Sequence, residues 1–550
     1  MTPQTTLTTL NSPTSPFTPT TARILLAALV VGTLAIFVLV LIGGHVFIPD
    51  DVYFYLQIAD NLALGHGSTF NGLQLTNGYH PSWMGVCVAL RALVGDDPAT
   101  RITALFVVVA LGNLVALGLT WRLTRRLNIH LGLGALVVIA YASLNAIGSE
   151  FHLSLPLLLT SLLLALSRPW TTAPTPLRSA LHLIGFGILL GLTVLARLDN
   201  VFAVFALGLA AALSPRTPLT TTAIRLAAIG LGAALTLGPY LVSNLIEFGH
   251  LVPISGSVKS GLAALVGFNP GKLGLQAWAL LALSAIAPLV WYRIGKRTGD
   301  FTVFFFSLGA LAHGLYILFF LESVWTWYFA TELISVALTL DALATAATRR
   351  LAPNVTRLIG PAVIALTLLT LGAIAWRNLG VVRGDSHRWY LDAAAWVDAT
   401  VPPDGAVAIT NSPGSVAYFS HRPIVALDGL TGDFRFHHRA AAVGLYQTLA
   451  ELGVTHVVTM GPGSPSLGEW IDKTRLIGHG GEGPTFDGEV HPDGTATPRA
   501  VGLYSGIVKA NVGWLSTAAS HFVSQCKCGF GMWRLAPGAP DSRSVQSPIP

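Results

Sequence analysis

Charge is what this sequence has least of. Only 11% of its 550 residues are Asp, Glu, Lys or Arg, where a soluble globular chain carries about 25%. With 52% hydrophobic residues and a mean hydropathy of +0.63, that scarcity excludes a soluble enzyme and points to an integral membrane protein. Cysteine is also scarce. Cys87, Cys526 and Cys528 form neither a zinc-ligand spacing nor a disulfide framework, and a Cys526–Cys528 bridge would close a very small ring. No basic stripe is interleaved with aromatics, so the net charge of +6 is not the footprint of a nucleic-acid partner. No repeat occurs at solenoid or inverted-repeat spacing.

What the chain does have is apolar length. Residues 1–22 are rich in Thr, Ser and Pro and are expected to form a disordered cytoplasmic tail. Arg23 precedes an apolar run from Ile24 to Val46. That run is too long for a signal-peptide core and has no clear small-residue cleavage site after it, so it predicts a retained first transmembrane helix. Further runs follow at about 100–121, 131–148, 152–167, 180–196, 199–214, 223–245, 275–292, 301–321, 327–347 and 357–376. Together they predict about eleven transmembrane helices within a membrane domain at 23–377.

The cations set the orientation. With the N-terminus in the cytoplasm, the inner side carries Arg23, Arg122, Arg125, Arg126, Arg168, Arg178, Arg216, Arg225, Arg293, Lys296, Arg297, Arg349, Arg350 and Arg357. The outer side carries Arg91, Arg101, Arg197, Lys259, Lys272 and Arg377. Fourteen against six follows the positive-inside rule. Acids collect on the outer side instead, at Asp50, Asp51, Asp60, Asp96, Asp97, Glu150, Asp199, Glu247 and Glu322, and apart from Glu332 almost no acid falls inside a span. An odd number of spans then places the C-terminus outside.

The first outer loop, 47–99, is long and internally patterned. Val52 to Leu64 has helical apolar spacing and stops at Gly65. Residues 65–78 are rich in turn formers. Pro81 to Val94 fits a helix lying in the interface, with Trp83 at headgroup depth. After 378, short apolar runs at 407–409, 424–427 and 456–458 alternate with helical stretches at 387–399 and 438–452. They predict an extracytoplasmic α/β domain at 378–550 with a partly parallel sheet, whose end, rich in Gly, Pro and Ser, is poorly defined.

The acids and cations at the outer side are the candidates for chemistry. Asp50 and Asp51 open a predicted helix, where one can cap it while the other faces a cavity as a general base. Glu150 lies in a short outer turn and is either solvated or convergent with Asp51. His152 follows it, and His45, His66 and His80 lie in or beside the first loop. A carboxylate–histidine site keeps a divalent metal among the candidate cofactors, although none of these residues shows ligand spacing. Arg197 and Asp199 form either a structural pair or a cation ready for a lipid phosphate. Lys259, in a Gly/Ser-rich segment with backbone donors, is a second phosphate candidate or an ordinary snorkelling lysine. Glu322 stands beside Trp325, Trp327 and Tyr328, whose rings fit an interfacial belt.

Several short blocks resemble one family. Asp50-Asp51-x-Tyr53-x-Tyr55, Gly65-x-Gly67 and Thr76-Asn77-Gly78-Tyr79-His80-Pro81-x-Trp83 are followed by Ala196-Arg197-x-Asp199, Pro239-Tyr240-x-x-x-Asn244 and Ser255-Gly256-x-x-Lys259. Asp428-Gly429-Leu430 completes the series. In order and spacing the series resembles a bacterial subset of the GT-C class of membrane glycosyltransferases, the polyprenyl-phosphate-sugar-dependent enzymes that include protein mannosyltransferases and lipid A aminoarabinose transferases. The resemblance implies a catalytic acid in the first loop, Asp51 or Asp50, and a second acid at Glu150. It implies a donor that enters from the bilayer, with Arg197, Asp199, Lys259, His80, Tyr55 and Glu322 as substrate-binding candidates and no required metal. His80-Pro81 stands where many relatives have two prolines. The expected activity is inverting transfer from a polyprenyl-phosphate sugar to a glycan, lipid or protein at a prokaryotic plasma membrane. A secondary transporter or lipid flippase is the alternative, although transporters concentrate charge near the midplane; a non-catalytic scaffold is a third reading.

Overall fold

The computed structural model describes residues 18–129, 132–145, 147–213, 217–259, 271, 273–321, 324–383, 389–409, 413–427, 430–432, 434–443 and 445–460, with the backbone of five strands between 486 and 535. Helix α1 (Pro19–Gly43) begins inside the stretch assigned above to a disordered tail. The Thr18 hydroxyl caps it by accepting from the Thr21 N–H at 3.1 Å, and Pro19 fills a position where a missing N–H costs nothing. Residues 1–17 lie outside the described part of the chain.

The first loop holds α2 (Asp50–Ala63) and α3 (Pro81–Val94). The bundle continues with α4 (Pro98–Arg126), α5 (Leu133–Leu144), α6 (Phe151–Ser167), α7 (Pro176–Ala196), α8 (Val201–Ala212) and α9 (Leu219–Phe248). A short α10 (Ile254–Lys259) precedes α11 (Leu275–Thr298), α12 (Thr302–Phe320), α13 (Ala330–Thr348) and α14 (Pro353–Arg383). Each apolar run of spanning length read from the sequence contains a helix among the described residues. Nine helices among the described residues are long and apolar enough to cross a membrane, and the chain is a multi-pass membrane protein. Helices α5 and α8 have 12 residues each and rise only about 18 Å. Both are packed among other helices, α5 against α1, α4, α13 and α14, so protein covers what lipid would not.

Small residues set the tightest pairing, between α7 and α9. A side chain at Gly187 would collide with the Ile229 carbonyl, and one at Gly232 with that of Ile184. The backbones therefore approach closely, which is how helices associate where no hydrophobic gain separates protein from lipid.

Beyond α14 come α15 (Trp389–Thr400), β1 (Ala406–Ile409), α16 (Pro413–Phe419), β2 (Ile424–Ala426), α17 (Phe434–Val443), α18 (Leu445–Glu451) and β3 (Val454–Met460). Strand β1 pairs in parallel with both β2 and β3, as the alternation of strands and helices predicts. After them come β4 (Phe486–Val490), β5 (Ala496–Ala500), β6 (Gly506–Lys509), β7 (Gln525–Cys528) and β8 (Phe530–Leu535). The larger sheet has the order β2-β1-β3-β8-β4-β5, and β6 and β7 form a separate antiparallel pair.

This C-terminal region is seated on the first loop. Tyr53 packs its ring within 6.0 Å of Tyr390, 5.3 Å of Tyr418 and 5.6 Å of Phe419. Gly414 is required there, because a Cβ would stand 2.5 Å from the Asp50 carbonyl oxygen and 2.9 Å from the Phe54 ring.

Candidate active site

The two adjacent acids that open α2 are in different situations. Asp50 reaches across to the first turn of α16, where its carboxylate accepts from the N–H groups of Gly414 at 3.1 Å and Ser415 at 2.7 Å. It caps a helix, but not its own: the position before α2 is Pro49, which offers no side-chain cap. Burial pushes the Asp50 carboxyl up to about 7, opposed by the donors of Ser415 and Gly414 and assisted by the charge of Asp51. Asp51 is half-buried and makes no hydrogen bond or ion pair to any described residue. It shares a helix face with Tyr55, one turn further on.

The face that carries Tyr55 lies against a buried cluster. Val52 packs on Gly148, whose φ of 97° favours glycine and where a Cβ would stand 3.2 Å from the valine methyl. Gly148 belongs to the turn that delivers Glu150 to the start of α6. Glu150 is only 4% exposed, and its Oε1 accepts from Arg197 Nη1 at 2.5 Å. Arg197 follows α7 directly. Its Nη2 donates to Asp199 Oδ2 at 2.8 Å, its Nε lies 2.8 Å from Asp199 Oδ1, and its guanidinium covers the Tyr328 ring at 4.2 Å. The Arg197–Asp199 pair and Glu150 are thus one arrangement, a guanidinium between two carboxylates.

The segment from Thr76 to Trp83 joins this cluster to the rest of the site. The Asn77 amide donates to Asn244 Oδ1 at 3.2 Å, and its carbonyl oxygen accepts from the Ile254 N–H at 2.9 Å. A Cβ on Gly78 would collide with the Leu430 carbonyl. The His80 N–H donates to the Tyr55 hydroxyl at 3.2 Å, its Nδ1 faces the Leu198 N–H at 3.3 Å, and its Nε2 lies 3.7 Å from Glu150. Blocks far apart in sequence therefore meet at one end of the bundle. Lys259 closes α10 beside them; its side chain lies outside the described residues, as do Glu322, Asp428 and Gly429.

The other histidine candidates are placed elsewhere. His152 Nδ1 is 2.9 Å from Asn113 Oδ1, and His66 Nδ1 is 3.4 Å from Asn61 Oδ1. The His45 side chain lies outside the described residues. Among the described residues, no group of three or more His, Cys, Asp or Glu side chains is arranged to hold a metal ion.

Sequence reasoning missed two residues and undervalued a third. His313, on α12, places Nε2 3.4 Å from Asp199 and Nδ1 2.9 Å from Glu332 on α13. An ionisable side chain inside an apolar helix is costly, and that was the available signal. In the sequence Glu332 stands out only as an exception in the charge count. Asp341, also on α13 and unmarked by the sequence, is buried and accepts from the Leu133 N–H at 3.1 Å, capping α5.

The structure is similar to ArnT from Cupriavidus metallidurans bound to undecaprenyl phosphate, with a TM-score of 0.53 and 14% sequence identity, over 81% of this chain and 94% of that one. It is also similar to apo ArnT from the same organism (TM-score 0.48, 13% identity, 78% and 92% covered). The arabinofuranosyltransferase AftD from Mycobacteria follows (TM-score 0.45, 17% identity), over 86% of this chain and 39% of that one. No protein-family model matches the sequence, and no curated protein does. The chain has the fold of a GT-C membrane glycosyltransferase.

Proposed function

We propose that this protein transfers a sugar from a polyprenyl-phosphate donor to an acceptor at the outer face of a prokaryotic plasma membrane. The observation that carries this reading is the convergence, at one end of a GT-C bundle, of α2, the segment 76–83, Glu150, Arg197 and the start of α10. The undecaprenyl phosphate bound by ArnT supports a lipid-phosphate donor for this site as well.

Asp51 is the base. Its neighbour is occupied by two N–H donors of α16, whereas Asp51 is open to take a proton from an acceptor hydroxyl. The oxygen so exposed bonds to the anomeric carbon as the bond from that carbon to the lipid phosphate breaks. Attack opposite the phosphate inverts the centre. A phosphate monoester is a stable leaving anion and needs only a cation or a set of donors around it. Arg197 already neutralises two carboxylates, so its part is to hold Glu150 in place. Lys259 and the backbone N–H groups around it receive the phosphate.

The test is transfer from a panel of radiolabelled polyprenyl-phosphate sugars in membranes that contain the native acceptor. Asp51→Asn is expected to lower the rate by about 10³-fold, the scale of a lost general base. Equal transfer by wild type and variant would move the base to Asp50 or Glu150. No transfer from any donor would overturn the reading and favour transport.

A further inference from the structure

Two of the buried ionisable side chains among the described residues adjoin the site from inside the bundle. His313 is 1% exposed and Glu332 0%, and both lie on helices long and apolar enough to span the membrane. From the nearer end of α12, at Phe320, His313 is set in by about 10 Å at the rise of a helix. Ionisable groups in such a place are costly unless they answer one another or serve the site.

They extend the cluster already described. From the loop inward the order is His80, Glu150, Arg197, Asp199, His313, Glu332, and each neighbouring pair is within 3.7 Å. Two features make His313 the fixed point. Each of its ring nitrogens faces a carboxylate, so both pairings are complete only when both carry a proton. Its ring also packs against Phe202 and Tyr316, with centroids 5.7 and 6.4 Å away, and those two rings contact each other at 5.3 Å, so an aromatic cluster backs the imidazole. Asp199 is therefore flanked on two sides, by Arg197, which hydrogen-bonds it, and by an imidazole nitrogen 3.4 Å away whose ring is held on its other side by Glu332.

We infer that His313 and Glu332 are positioning residues for the transfer reaction: they fix Asp199, and through it the guanidinium that holds Glu150 against the substrate site. The inference rests on the glycosyltransferase reading for its kinetic consequence, but not for its structural one. Neither residue meets the substrate. Their effect passes through the orientation of Arg197, whose Nη1 is committed to Glu150 and whose Nε and Nη2 are committed to Asp199. Released from His313, Asp199 can swing, and Arg197 with it. Glu150 then loses its register with the acids and hydroxyls of the first loop.

The experiment uses the full chain in lipid nanodiscs, as wild type, His313→Leu, His313→Gln and Glu332→Gln. His313→Leu is expected to lower kcat by about 100-fold, the scale of a small misplacement at a reacting centre, while KM for the polyprenyl-phosphate sugar stays within about twofold. His313→Gln restores one donor to Asp199 and should recover about tenfold of that loss. Glu332→Gln keeps an acceptor for His313 but not the charge, and should fall between them. A wild-type kcat in folded His313→Leu, or a loss in KM alone, would overturn the inference.

A second readout does not depend on activity. In nitrogen-15 spectra of histidine-labelled protein, the signal absent from His313→Gln is expected to show both ring nitrogens protonated at neutral pH, and Glu332→Gln to remove that signature. A neutral ring in the wild type would overturn the positioning arrangement. Failure of wild type to transfer any sugar, with the doubly protonated signature present, would overturn the proposed function and leave this arrangement standing.

Discussion

Two ion clusters flank the first loop, and they are built in opposite senses. In the first, one cation lies between two acids: Arg197 between Glu150 and Asp199. In the second, one acid lies between two cations: Asp60 pairs with Arg91 at 3.0 Å and with Arg101. The central ion differs most: the Arg197 side chain is 3% exposed, with Glu150 at 5% and Asp199 at 15%, whereas Asp60 keeps 18%, with Arg91 at 15% and Arg101 at 5%. Their outer contacts differ as well. Arg197 leads to His313 and into the bundle, whereas Arg101 lies over the Tyr418 ring at 5.1 Å and donates to the Asp96 carbonyl. The same device thus has two uses. The second cluster pins the loop to the C-terminal region and is complete in itself. The first carries an excess of negative charge toward the segment where His80 and Tyr55 stand, which is where a reaction that moves a proton has use for it.

Removing the central ion of each cluster tests the contrast. Arg197→Leu strands two buried carboxylates, and breaking a buried pair costs about 3–5 kcal/mol. The variant is expected to unfold many degrees lower in a thermal scan and to transfer no sugar. Asp60→Leu strands two arginines that still reach solvent or the Asp96 backbone, and about 2 kcal/mol is expected, between the buried and the surface cases. Its kcat, measured below the unfolding range, should stay within about twofold of wild type. Equal thermal losses in the two variants, or a collapse of kcat in Asp60→Leu, would remove the division of labour between the clusters.

How much of this the sequence shows depends on how local each feature is. Helix α3 has the bounds expected for it, Pro81 to Val94, because a proline at its start and Gly95 after its end mark it locally. The parallel pairing of β1 with β2 and β3 follows from short apolar runs joined through helices. The Arg197–Asp199 pair is legible because only Leu198 separates the two. Glu150 is 47 positions from Arg197, and Asp50 is 364 from the Gly414 N–H that it caps. No pattern in the chain carries that information, so the capping reading for Asp50 names the role but the wrong helix. His313 escapes for the same reason: its two acids come from separate elements. The resemblance of the scattered blocks supplied what spacing could not, since those blocks, far apart in sequence, meet around Asn77 and Gly78.

Asp50 offers the finest test of how the C-terminal region is held. Its carboxyl is pushed up to about 7, chiefly by burial against α16, from an ordinary 3.8. Seated, the region therefore keeps a proton that an exposed aspartate gives up near pH 4. A group with a raised value contributes its full stability below the lower of the two values and loses it as pH rises through the higher. The seating should thus be tightest near pH 4 as far as this group is concerned, and should weaken up to about pH 7 and then level off. Because Asp50 keeps some contact with solvent, the swing is expected to be only about 1–2 kcal/mol, less than the whole shift would give. Asp50→Asn cannot titrate, so the difference in thermal midpoint between wild type and variant isolates the effect from every other group. That difference should move in favour of the wild type as pH falls from 7 to 4. A difference that stays flat would mean that Asp50 is ionised throughout and that its two N–H partners, not its burial, decide its state; the junction would then be held by charge, as the cluster around Asp60 is.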